Sequence, residues 1–127
     1  MKRLLLTLAC AALLVPATAQ ALGILRTQTR TGVQTASRAA TSGCSVSVGL
    51  AASLVLRCSG STGYARAVYR FALPSRFTGT PSVHTSLASG SARTTFSVDG
   101  TDLKVVVTRR GAGSARILMV SASYYTR

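Results

Sequence analysis

The chain has no glutamate, asparagine or tryptophan, and only two acidic residues and one histidine in 127 positions. Each scarcity removes a class of chemistry. Asp99, Asp102 and His84 supply neither a carboxylate pair for general acid–base work nor a zinc ligand set of normal count. A Ser-His-Asp triad can be drawn from these three and any of many serines, but serine is too abundant for the pattern to inform, and no G-x-S-x-G elbow marks a nucleophile. Asp99-Gly100-Thr101-Asp102 is too poor in acidic ligands for a calcium loop and reads as a tight turn. Arg110-Gly111-Ala112-Gly113-Ser114 lacks the spacing of a phosphate-cradling loop and reads as a plain loop. The sequence is that of a non-enzymatic protein with no cofactor and no metal.

What is present begins at the N-terminus. Met1-Lys2-Arg3 is cationic, Leu4 to Val15 is a run of apolar and small residues, Pro16 breaks it, and Ala17-Thr18-Ala19-Gln20-Ala21 offers cleavage after Ala19 or Ala21. This is the order of a secretory signal peptide over residues 1–21, and the run is too short to span a bilayer as a helix. No later run is long enough either, so no transmembrane span is expected. The expected location is outside the cytoplasm, extracellular or periplasmic. Cys10 lies within the signal, which leaves Cys44 and Cys58, and an even pair in an exported chain reads as one disulfide.

The charge is one-sided. The whole chain carries a formal +13. Beyond the signal there are thirteen cations against two acids, and Lys104 is the one lysine among them. Two acids cannot pair thirteen cations, so most arginines face water or an anionic partner. Arginine's planar fork suits phosphate and carboxylate. Codon bias toward G and C also favours arginine over lysine, although it accounts less readily for the missing glutamate.

Residues 22–43 are rich in Thr, Ser and Gln with arginines at 26, 30 and 38, show no sustained apolar period, and read as a flexible basic arm. From Cys44 to Cys58 every even position is apolar or cysteine, the period of a strand. One continuous strand would hold the two cysteines ~46 Å apart, far beyond the roughly 5.5 Å a disulfide spans. The segment therefore folds as a hairpin about Ala51, pairing Cys44 with Cys58, Val46 with Leu56 and Val48 with Leu54, with Gly49 supplying the unusual turn angle. A short helix over Leu50–Arg57 is the competing reading, and the alternation decides against it.

Residues 64–73 alternate again, with Ala65, Ala67, Tyr69, Phe71 and Leu73 on one side and Tyr64, Arg66, Val68 and Arg70 on the other. Residues 74–81 read as a loop and 82–88 as a weak strand. Asp99-Gly100 is the strongest hairpin signal, predicting Val98 opposite Thr101 and Phe96 opposite Leu103. Residues 109–114 read as a Gly-rich loop and 115–125 as a central strand, apolar on both faces from Ile117 to Val120.

The sum is about seven strands over residues 44–127 and no helical period. This suits an all-β fold, a small antiparallel β-sandwich of immunoglobulin-like architecture, with one disulfide stapling a hairpin. The lack of tryptophan and the closeness of the two cysteines depart from true immunoglobulin domains. The remaining positive signal is arginine interleaved with tyrosine. It points to a secreted basic domain binding an anionic surface or polymer: an envelope phosphate, an acidic glycan or a lipid headgroup, rather than nucleic acid. The expected contacts are Arg66, Arg70, Arg109, Arg110 and Arg116 within the fold, with Arg26, Arg30 and Arg38 in the arm. The alternative is a protein-binding module, an inhibitor or adhesin-like subunit, acting through loops 74–81 or 109–114.

Overall fold

The computed structural model describes residues 23–127, so the expected signal peptide, its expected cleavage sites and Cys10 lie outside the described residues. The described chain folds into nine antiparallel strands in two sheets. They are β1 (Ile24–Thr31), β2 (Ser37–Ala40), β3 (Cys44–Val48), β4 (Leu54–Cys58), β5 (Tyr64–Ala72), β6 (Phe77–Gly90), β7 (Arg93–Asp99), β8 (Asp102–Arg110) and β9 (Gly113–Thr126). Sheet A is organised around β9. One edge of β9 pairs with β6, and the other pairs with β4 over its first half and β1 over its second, with β3 beyond β4. Sheet B has the order β2-β5-β8-β7. The expected sandwich is therefore present, with two more strands than the sequence suggested.

Those two strands correct the reading of residues 22–43. The segment is not a flexible arm: β1 adds to sheet A, the chain crosses at Gly32–Ala36, and β2 adds to sheet B. The domain thus begins before Cys44. The segment's polarity concealed this, because β1 is an exposed edge strand whose backbone pairing needs no apolar face. The crossing is held from both sides. Tyr69 on β5 is fully buried and donates its hydroxyl to the Gly32 carbonyl at 2.8 Å, while the Gly32 amide donates to the Leu118 carbonyl at 2.9 Å. A Cβ at Gly32 would come within 2.1 Å of the Ile117 carbonyl oxygen, so only glycine allows the chain this close to β9. Burial pushes the Tyr69 phenol well above its ordinary range, with the charge of Arg38 opposing.

The core lies where the alternation placed it. Ala65, Ala67, Tyr69 and Phe71 of β5 face Leu103, Val105 and Val107 of β8, and all are fully buried against Leu54, Leu56, Ile117 and Val120 of sheet A. Each large side chain so buried contributes about 1.5–3 kcal/mol relative to exposure.

The β3–β4 hairpin has the expected register, Cys44 opposite Cys58, Val46 opposite Leu56 and Val48 opposite Leu54. The cystine closes it with Cα atoms 4.0 Å apart, contributing roughly 3 kcal/mol for a loop of this length. Its turn differs from expectation. Gly49 has extended angles, and the left-handed residues are Ala51 and Ala52 in a single 3-10 turn, which Ser53 closes by donating its hydroxyl to the Leu50 carbonyl at 2.7 Å.

The second hairpin turns one residue later than expected. Asp99 pairs with Asp102 across Gly100-Thr101, so Phe96 faces Val105 and Val98 faces Leu103. A slide of two residues along the partner strand keeps every side chain on its expected face, so the apolar pattern does not distinguish the two registers.

Both expected loops shrink. Residues 77–90 form one long strand that carries Pro81 at a register shift, and the 109–114 loop is reduced to a two-residue connection, Gly111-Ala112.

Candidate anion-binding face

On β5 and β8 the residues that alternate with the core point outward and form one face of sheet B. Reading its register away from the β7–β8 turn gives Asp99 and Asp102, then Arg70, Lys104 and Ser97, then Val68, Val106 and Thr95, then Arg66, Thr108 and Arg93, and last Tyr64 and Arg110. Both acids of the chain are at one end. Arg70 pairs with Asp102 in an ion pair whose two side chains are half exposed. At the other end three arginines stand together with no acid in their rows.

Tyr64 organises that end. The Arg66 guanidinium carbon lies 4.6 Å and that of Arg110 5.3 Å from the centre of its ring. The negative face of the ring offsets part of the repulsion between the two cations, worth about 0.5–1 kcal/mol at an exposed site. A guanidinium held over a ring keeps N–H groups with which to fork onto an oxyanion. Arg66, Arg93 and Arg110 line one open groove of about 870 Å³, whose floor is Val106 and Thr108.

The other expected contacts fall elsewhere. Arg109 also borders the groove, but its side chain bonds inward. It donates to the Ser91 carbonyl and hydroxyl at 3.1 and 2.9 Å and to the Ala112 carbonyl, tying the β6–β7 connection to the β8–β9 connection. Its Nε is buried with no partner among the described residues. A Cβ at Gly113 would come within 2.3 Å of this guanidinium. Arg109 is therefore a brace and not part of the open face. Arg116 lies on the outer face of sheet A, opposite Val55. Arg38 caps its own neighbourhood, donating to the Thr35 hydroxyl at 3.0 Å and the Val33 carbonyl at 3.1 Å. Arg30 packs 4.8 Å over the Phe71 ring. Arg26 borders a smaller cleft of about 490 Å³ with Arg76 and Tyr124, at the other end of the molecule. Of the eight expected arginines, only Arg66 and Arg110 meet, with Arg70 on the same face but ion-paired.

Two members of the face were missed. Arg93 joins it through the β7–β8 register, opposite Thr108. Lys104 joins through the period-two alternation of β8, a signal present in the sequence, since residues 103, 105 and 107 are the buried set.

The remaining candidates separate. His84 is exposed on the outer face of sheet A, whereas both aspartates are on the outer face of sheet B, so the thickness of the sandwich lies between them. Among the described residues no cluster of three His, Cys, Asp or Glu side chains is placed to hold a metal ion. No helix there is long and apolar enough to cross a membrane. Compared with family models, curated proteins and solved structures, the chain has no significant match.

Proposed function

We propose that this is a secreted, non-enzymatic domain that binds an anionic polymer or surface through the outer face of sheet B. One observation supports the reading above the others: Arg66, Arg93 and Arg110 line one groove, Arg66 and Arg110 packing over Tyr64 at its end, while the acids that could neutralise them are at the far end of the same sheet. The ligand chemistry is a repeated phosphate, sulfate or carboxylate, carried by an acidic glycan, an envelope polymer or a lipid headgroup. Guanidinium forks give the affinity, and Val106 in the groove gives an apolar contact for a sugar or acyl neighbour. Residues 1–21 support delivery outside the cytoplasm.

The test is titration against heparin and against anionic phosphatidylglycerol vesicles over a salt series. Neutralisation of three cations predicts a slope of log K on log salt of about −2 to −3. The double variant Arg66→Glu/Arg110→Glu is expected to flatten the slope below about −1 and to weaken binding roughly a hundredfold at low salt. No binding at low salt, or binding indifferent to this variant, overturns the assignment.

A further inference from the structure

The open edges of the two sheets are treated differently. β6 is broken by Pro81 and three register shifts, β3 is five residues closed by the cystine, β2 is four residues long, and β1 alternates Arg26 and Arg30 along its edge. These are devices that discourage a further strand from pairing. β7 carries charge only at its two ends, Arg93 and Asp99, and has none of the other devices. It is seven residues without proline, glycine or bulge, paired with β8 throughout in unbroken register.

The register says where its free hydrogen bonds point. Asp99 and Asp102 flank a two-residue turn and so exchange backbone hydrogen bonds, as do Ser97, Thr95 and Arg93 with their partners by the two-residue period. The N–H and C=O groups of Thr94, Phe96 and Val98 therefore face the open edge. Phe96 and Val98 are 42% and 38% exposed, since sheet A does not cover this end of the strand.

The sequence of β7, Arg-Thr-Thr-Phe-Ser-Val-Asp, is complementary to itself when run antiparallel about its centre. Phe96 then meets Phe96 of a second copy as a hydrogen-bonded pair, and Thr94 meets Val98 the same way. Arg93 meets Asp99 at both ends in the closer, non-hydrogen-bonded spacing that suits an ion pair. Asp99 otherwise sits opposite Asp102 of its own sheet, a like-charge pairing that the arginine of a second copy relieves. The geometry points to a two-fold dimer of this chain in which the β7 strands pair antiparallel about Phe96, making one eight-stranded sheet from two copies of sheet B. The two-fold axis passes through the sheet, so both cationic grooves open on the same side. In the dimer Arg93 pairs with Asp99 of the second copy, which leaves Arg66 and Arg110 as the free guanidiniums of each groove; the dimer itself does not depend on the anion-binding reading.

Sedimentation equilibrium over a concentration series, on protein recovered from expression of the full chain, tests it. Wild type is expected to dimerise. Arg93→Asp and Asp99→Arg each place like charges opposite one another at both ends and are expected to weaken the dimer at least about tenfold. The combined exchange restores opposite pairs and is expected to return affinity to within about threefold of wild type. Both positions are exposed, and unchanged thermal melts confirm that the variants fold. A monomer at all concentrations, a dimer indifferent to the single variants, or a failure of the exchange to restore it each overturns the proposal.

Discussion

The two outer faces of the sandwich are made by the same alternation yet carry opposite chemistry. On sheet B the outward positions include Arg66, Arg70, Arg93, Lys104 and Arg110. Over the long pairing of β1, β9 and β6 on sheet A the middle rows are hydroxyls, Thr27, Ser123 and Ser82 in one and Thr29 and Ser121 beside His84 in the next, with uncharged Leu25, Tyr125 and Met119 in the rows that flank them. Thr27 and Ser123 hydrogen-bond each other at 3.0 Å. In a chain this basic, random scatter would put cations on both. The charge is instead concentrated where two strands interleave arginine with the core, and the cations near sheet A's outer face, Arg57 and Arg116, are confined to its β4 end. The comparison separates composition from placement. A genome that favours arginine accounts for the number of cations and not for their meeting at one groove.

The sharpest way to break the comparison is to take a cation that borders the groove but works inward. Arg109→Ala is expected to destabilise the fold by roughly 3 kcal/mol, because it removes hydrogen bonds from a charged donor that join two chain connections. The salt slope for heparin should stay near that of wild type. Thermal melts and the titration read the two effects separately, and a stable variant with a reduced slope would move Arg109 onto the face.

A smaller effect is expected at the tie between the sheets. Tyr69→Phe leaves the Gly32 carbonyl without its donor and should cost about 1–2 kcal/mol. It also has a pH signature. The buried phenol titrates above its unfolded value near 10. Its contribution is therefore complete below about pH 10 and declines as pH rises above it, since the unfolded chain ionises first. Denaturant midpoints should fall above pH 10 in wild type and less steeply in Tyr69→Phe. Equal slopes in the two proteins would mean that the phenol is not held as described.

The smallest effect is expected on the hydroxyl face. Thr29→Lys with Ser121→Lys adds two cations to sheet A at exposed or half-exposed sites, so stability should change by no more than about 0.5 kcal/mol. Heparin affinity should rise less than about threefold, because a flexible ammonium pair does not reproduce stacked forks. A gain as large as the loss from Arg66→Glu/Arg110→Glu would show that total charge, and not the groove, sets the binding.

Much of the sheet B face was legible along its own strands. Tyr64, Arg66 and Arg70 alternate with Ala65, Ala67, Tyr69 and Phe71, and a period of two needs no partner to be recognised. The same reasoning reached the β3–β4 register, because two cysteines that must meet allow only one fold-back. It failed where partners decide. β1 and β2 looked like an arm because edge strands take their stability from backbone pairing with β9 and β5, which leaves no apolar mark on their own side chains. Gly111-Ala112 looked like the tip of a longer loop, yet it carries the chain from one sheet to the other in two residues. Arg93 could be placed beside Arg66 only through a register two strands wide, and Arg109 could be excluded from the face only by knowing that Ser91 and Ala112 stand within its reach.

By itself, then, the sequence determined the class of the fold, the buried set on β5, the cystine hairpin and the excess of cations. All follow from local period, residue volume and the reach of a covalent bond. Only the tertiary structure decided which cations share a groove, which are spent bracing the chain, and which sheet edge is left open. Those outcomes depend on distances between residues far apart in the chain, and a one-dimensional period contains no such distances.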